Sequence, residues 1–126
     1  GVTKMGTDLQ LRTTEFKELL DIYRDFAKSD VRYNLFGHFG DCHLHFNFMP
    51  NTNQTKDCQE QFENMYREVV KLKGSPFAEH GIGIIKQKFI KQFWSDEVYT
   101  YFSELKKMHD PHNQFFPQGF MSLKND

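Results

Sequence analysis

From Cys42 to Phe48 the chain alternates without a break. Cys42, Leu44, Phe46 and Phe48 take one set of positions, and His43, His45 and Asn47 take the other. Successive side chains of a strand point to opposite faces. A strand over 42–49 therefore turns an apolar face to a core and an imidazole, imidazole and amide face the other way. That is the pattern of an antiparallel sheet with one covered face. Residues 31–39 read as the preceding strand, and Gly40-Asp41 supplies the turn between the two. His38 ends that strand, so three of the chain's six histidines fall within eight residues of one hairpin.

The rest of the chain supplies what such a hairpin packs against. Leu9 and Leu11 alternate within 6–12, a short strand signal. Phe16, Leu19, Leu20, Tyr23, Phe26 and Ala27 recur at helical spacing, which predicts a helix over 14–28 capped by Thr13 or Thr14. Cys58, Phe62, Met65, Tyr66 and Val69 predict a second helix from about 55 to 73, with Gly74 just past its end. Residues 75–78 are short and extended, and 84–93 read as a short helix. Ser95 or Asp96 caps a last helix with Val98, Tyr101, Phe102, Leu105 and Met108 inward, and Asp110-Pro111 stops it. The tail from 112 is irregular. The order predicts an α+β fold: a ferredoxin-like βαββα antiparallel sheet with helices packed on one face, plus a C-terminal helix and tail.

With 126 residues the expectation is one domain, 1–126, with its own core. Sixteen Lys and Arg against 17 Asp and Glu leave no basic excess for nucleic acid and no single-sign block for a membrane surface. Two cysteines in no CxxC pattern argue against a disulfide framework and for a reducing, cytoplasmic setting. No apolar run approaches the roughly 18 residues of a spanning helix. Gly1 in place of Met suggests either a cloning remnant or a chain cut from something longer.

Neutral imidazoles close together are a common start for a transition-metal site. Across the hairpin His38 and His45 can approach each other, and His43 on the same strand face can replace either. Glu79 is the candidate third ligand, provided 75–79 pairs beside the 42–49 strand. Asp41 can hold one histidine from behind. Next to Glu79, His80 is a candidate general base. Histidines flanking a turn are often solvated surface groups, so spacing alone leaves both readings open. Cys42 falls on the core side of its strand and is no nucleophile. Lys86 and Lys88 can bind an anion or form a solvated face. His109 and His112 read as capping or solvent-facing.

Three motifs in order carry a resemblance: Gly37-His38-Phe39-Gly40-Asp41-Cys42-His43-Leu44-His45, then Ala78-Glu79-His80-Gly81-Ile82-Gly83, then Leu105-Lys106-x-x-x-Asp110-Pro111 with Phe116-Pro117-x-Gly119. From about Asp8 to Gly119 the chain resembles the C-terminal domain of FAD-linked oxidases, in the vanillyl-alcohol-oxidase-type superfamily and its D-lactate, glycolate and D-2-hydroxyglutarate dehydrogenase branch. The resemblance implies a cap domain whose partner, a flavin-binding domain of the same parent polypeptide, holds most of the FAD. It implies that His38, His45 and Glu79 bind zinc or another divalent metal that holds the 2-hydroxy-acid substrate. It implies that His80 takes the hydroxyl proton as hydride leaves for the flavin, and that Asn47 and His43 line the cofactor side. The isolated fragment is expected to be inactive.

Departures from the family pattern are Cys42 where Gly is usual, His43 where Asn is usual, and Phe116-Pro117-Gln118-Gly119 where Asn-Pro-Gly is usual. Two other functions fit the same residues: a stand-alone metal- or ligand-binding ferredoxin-like module, and a zinc hydrolase working through zinc-bound water. Phe39, Phe77, Phe115, Phe116 and Phe120 are expected to form an exposed apolar surface, for the flavin domain or for a homodimer.

Overall fold

The computed structural model describes residues 3–28, 30–119 and 121. Its Cα packing forms two units, Gly1–His80 and Gly81–Asp126. The first unit holds the sheet. Two short strands, β1 (Met5–Gly6) and β2 (Leu9–Gln10), lead through a 3-10 turn (Thr13–Glu15) into α1 (Phe16–Ala27). β3 (Arg32–His38), a second 3-10 turn (Phe39–Asp41), β4 (His43–Met49) and α2 (Thr55–Lys71) follow.

β4 is central. It runs antiparallel to β3 along all seven of its residues, from Arg32 opposite Met49 to His38 opposite His43. Its other edge pairs with β1, Met5 opposite Phe48, and with β2, Leu9 opposite Leu44. Beyond β2, Gln10 makes an isolated antiparallel bridge to Ser75. The spatial order is therefore Ser75, β1 with β2, β4, β3. That is a ferredoxin-like sheet whose first strand is split and whose fourth is reduced to one bridge.

The strand expected over 6–12 is thus broken at Thr7 and Asp8. The register does not slip across the break, because Gly6 opposite Asn47 and Leu9 opposite Leu44 keep one alignment. Thr7 still donates its N–H to Phe46 O at 3.0 Å. Its hydroxyl stands 2.8 Å from Tyr23 OH and accepts the Phe46 N–H at 2.9 Å, while Tyr23 OH donates to Leu44 O at 3.0 Å. Burial pushes the Tyr23 phenol far above its ordinary range, so it stays a neutral donor.

The apolar face of β4 meets the helices as the alternation requires. Leu44, Phe46 and Phe48 are buried with Leu19, Tyr23 and Phe26 of α1 and Cys58, Met65, Tyr66 and Val69 of α2. Phe46 lies 4.9 Å from the Tyr23 ring and Phe48 lies 3.7 Å from Phe26. Each such side chain contributes about 1.5–3 kcal/mol by leaving water.

Local signals at the helix ends resolve differently from the sequence reading. Thr13 and Thr14 lie inside the 3-10 turn and cap nothing; instead Glu15 accepts the Arg12 N–H and pairs with its guanidinium. At the end of α2 the left-handed residue is Lys73, at φ +55°, rather than Gly74. Lys73 N–H bonds to Val70 O and Gly74 N–H to Val69 O, both at 2.9 Å, completing a Schellman motif. Gly74 is glycine for space: a Cβ there would come within 2.2 Å of Leu11 Cδ2 and 2.6 Å of Gln10 O.

In the second unit a 3-10 turn (Gln87–Phe89) and the short α3 (Ile90–Phe93) take the place of the helix expected over 84–93, followed by α4 (Asp96–His109). Ser95 caps α4, its hydroxyl accepting the Val98 N–H at 3.3 Å. The inward apolar face predicted for α4 is not buried: Val98, Tyr101, Phe102 and Met108 are all exposed, Met108 at 70%. Asp110, just past the helix, is buried. It accepts the N–H groups of Gln114 and Phe115 and the Lys106 ammonium. Among the described residues no helix is long and apolar enough to cross a membrane.

Candidate functional site

The site grows from the β3–β4 hairpin. Gly37 stands opposite Leu44 at φ +146°, and a Cβ there would lie 2.5 Å from His43 O. Only glycine lets the strands close this far. At the turn, Cys42 takes the left-handed conformation, φ +52°, which costs a residue with a Cβ roughly 1–2 kcal/mol. Its thiol is buried on the core side and pushed up by that burial. Cys42 belongs to the turn instead of the strand expected from residue 42, but still faces the core.

The opposite face of β4 carries His43 and His45, as the alternation requires. They are not open to solvent: their exposures are 5% and 4%. The unchanged register across the β1–β2 break puts Asp8 opposite His45, on this same face. Asp8 is 1% exposed, and its Oδ1 lies 2.8 Å from His43 Nε2. The backbone N–H groups of Glu79 and His80 both donate to the Asp8 carboxylate, at 3.2 and 2.9 Å to Oδ2. Nothing in the sequence reading singled out Asp8. The available signal was an acid inside a strand pattern otherwise set by Leu9 and Leu11.

This carboxylate, with Ala78 N–H donating to Asp8 O at 3.3 Å, brings Glu79 to the histidines. The route differs from the expected pairing of 75–79 beside β4, since Ser75 bridges Gln10 of β2. Once there, Glu79 joins three imidazoles. Its Oε1 is 2.9 Å from His45 Nε2 and 3.2 Å from His80 Nε2, and its Oε2 is 3.5 Å from His38 Nε2. The His80 ring stacks on His45 with centroids 4.9 Å apart and planes 12° from parallel. Every residue the sequence reading named for a metal or a base is therefore in one cluster.

Asn47 lies further along the same face, half-buried, with its amide oxygen over Gly6, where a Cβ would come within 2.8 Å. Asp41 does not stand behind a histidine; it is exposed in the turn, and its backbone O accepts from Gln10. Phe39, Phe115 and Phe116 are exposed as expected, whereas Phe77 is half-buried. Phe120 lies outside the described residues. His109 and His112 are exposed.

The cluster fits a divalent cation. One ligand atom from each of His38, His43, His45 and Glu79 lies within 4.8 Å of the others, and the same holds for Asp8, His45, Glu79 and His80. Ligands about 2.0–2.2 Å from a tetrahedral ion stand roughly 3–3.5 Å from one another, and the Glu79 contacts to His45 and His38 fall at that spacing. His45 Nδ1 is buried without a hydrogen bond, 3.9 Å from Asp8 Oδ1. Two imidazoles and a carboxylate form a nitrogen and oxygen donor set of the kind zinc takes.

Fold, motif order and cluster together define a class. Residues 7–118 match the FAD linked oxidases C-terminal domain, and the chain belongs to that family. It is 33% identical over 99 residues to a D-2-hydroxyglutarate dehydrogenase of Xanthomonas citri pv. viticola, covering 75% of this chain and 20% of that protein. It is 26% identical over 118 residues to a mitochondrial D-lactate dehydrogenase (cytochrome) of Kluyveromyces lactis, covering 93% and 20%. A glycolate oxidase subunit of Bacillus subtilis is 26% identical over 127 residues, covering 98% and 27%. The chain thus spans about a fifth to a quarter of the length of these relatives.

Proposed function

We propose that this chain is the substrate-side part of an FAD-dependent oxidoreductase that oxidises a D-2-hydroxy acid by hydride transfer to the flavin. In this reading His38, His45 and Glu79 hold a divalent metal, zinc by its donor set, and His80 is the general base. The observation that carries it is convergence. A carboxylate 34 residues after His45 lies within 3.5 Å of two imidazoles of one hairpin, His38 and His45, with a further imidazole, His80, stacked on His45.

When bound, the metal would acidify the substrate hydroxyl and the flavin would accept the hydride. The chain's own residues do the rest. His80 is exposed, so a substrate can reach its ring, and the stack on His45 sets the plane of that ring. It takes the proton from the 2-hydroxyl. His43 and Asn47 line the cofactor side of the same sheet face. FAD is held mainly by a flavin-binding domain of the same parent polypeptide. Exposed aromatics, Phe39 in the first unit and Phe115 and Phe116 in the second, supply apolar area for contact with it.

The test is expression of the full-length protein, followed by flavin absorption, metal analysis, and turnover of D-lactate, glycolate and D-2-hydroxyglutarate with an artificial acceptor. Metal-dependent turnover of one of these acids is expected. A flavin-loaded protein that turns over none of them, or is indifferent to chelation, would sink the proposal.

A further inference from the structure

Asp8 is hydrogen-bonded to both of the segments that form this site. Its Oδ1 meets His43 Nε2 at 2.8 Å and Glu79 N at 3.3 Å, and its Oδ2 meets Glu79 N at 3.2 Å and His80 N at 2.9 Å. A carboxylate has about four acceptor positions, and three N–H donors, that of Glu79 shared between both oxygens, take most of them. Although its oxygens are near enough to join a metal cluster, they are already committed to N–H donors. A metal taking those oxygens would displace the donors, the buried His43 N–H among them.

The partners belong to two segments that are distant in the chain. One is β4, through His43. The other is the segment that delivers Glu79 and His80, tied by backbone N–H groups instead of side chains. Among the described residues, the Gln10–Ser75 bridge and the Ala78 N–H to Asp8 O bond are the strand-like pairing of that segment. A buried anion is held only where donors surround it, and here the donors are the two pieces that must keep register.

Resting on the reading above, we infer that Asp8 is the positioning residue of this site: one buried carboxylate clamps the Glu79–His80 backbone to β4, and so sets the distance from Glu79 to His38 and His45 and the placement of His80. It touches neither substrate nor cofactor in this role. Its contribution passes through the residues it holds.

The test uses the full-length protein and two variants, Asp8→Ala and Asp8→Asn. Asn keeps the shape of Asp but turns one oxygen into an NH2 group, which must face either His43 or a backbone N–H. Two readouts are taken on metal-stripped protein: amide hydrogen exchange of the peptide covering 76–82, by mass spectrometry, and calorimetric titration with Zn2+. His45→Ala, which removes a ligand, serves as the reference for lost zinc binding.

Asp8→Ala is expected to raise exchange at Glu79 and His80 and to weaken zinc at least about tenfold, as loss of a residue that orients ligands does. Asp8→Asn should move both in the same direction, by at least about threefold on the same grounds. Should Asp8→Ala fail to fold, Asp8→Asn decides. Unchanged exchange would overturn the inference. So would faster exchange with zinc affinity unchanged, which would make Asp8 a loop anchor without bearing on the site. If wild-type protein takes up no zinc, the metal reading fails by itself. Asp8 is then judged by exchange together with turnover: a fall in kcat with KM kept supports the clamp, and an unchanged kcat overturns it.

Discussion

Glu79 Oε1 lies 2.9 Å from His45 Nε2, although the Glu79 side chain is exposed, at 43%, and that of His45 is buried, at 6%. The pair joins the chain's two histidine-bearing motifs. If it is half of a metal site, removing the carboxylate should cost the metal. Glu79→Gln in the full-length protein is expected to lower zinc affinity by about a hundredfold, the upper part of the range seen even for groups that only support ligands. Metal analysis after dialysis against a weak chelator checks it. Retention of one metal per chain would remove Glu79 from the ligand set.

His80 is assigned a different part, and the two roles separate in experiment. His80→Asn should keep the metal and lose turnover, with kcat down by about 10²–10⁴ as for loss of a general base. Metal content and kcat are measured on the same preparation. Loss of metal in this variant would make His80 a ligand, as in the alternative cluster with Asp8, His45 and Glu79.

Two glycines of the hairpin make opposite predictions. Gly37 has φ +146° and no room for a Cβ beside His43 O, whereas nothing lies within 4 Å of a Cβ at Gly40. Gly37→Ala should destabilise the protein by at least about 2 kcal/mol, and Gly40→Ala by less than about 0.5 kcal/mol. Denaturant midpoints decide, and equal midpoints would contradict the close strand approach.

Acid should loosen the turn after α4. Burial alone would raise the Asp110 carboxyl, but the Lys106 ammonium and the N–H groups of Gln114 and Phe115 outweigh it, so the folded carboxyl lies below its usual range. A carboxyl lowered on folding stabilises above its unfolded pKa, and that stability is lost as pH falls through the folded value. The wild type should therefore melt above Asp110→Asn at pH 7, and the gap should narrow progressively as pH falls below about 4. A gap that stays constant or widens with acid would refute the sign.

Much of this was legible in the chain because alternation and helical spacing are read residue by residue. The core face of β4, the presence and buried faces of α1 and α2, and the Ser95 cap all follow from local pattern. What escaped depends on register or on neighbours distant in sequence. Asp8 matters because it falls opposite His45, and no local rule places it there. Gly74 looked like a left-handed cap but is small because Leu11 and Gln10 crowd it, while Lys73 carries the positive φ. The α4 stripe of Val98, Tyr101, Phe102 and Met108 has helical spacing, yet period alone cannot say whether anything covers it.

The two residues that interrupt the first strand face in opposite directions. Thr7 is bonded to Tyr23 and to Phe46 N in the helix-side core, and Asp8 to His43, Glu79 and His80. A library that varies α1 would therefore disturb the site from behind, since a shift of Tyr23 is handed to Thr7 and across one peptide to Asp8. Variation at the exposed positions of β3 before Gly37, which join from the other edge of β4, bypasses that link.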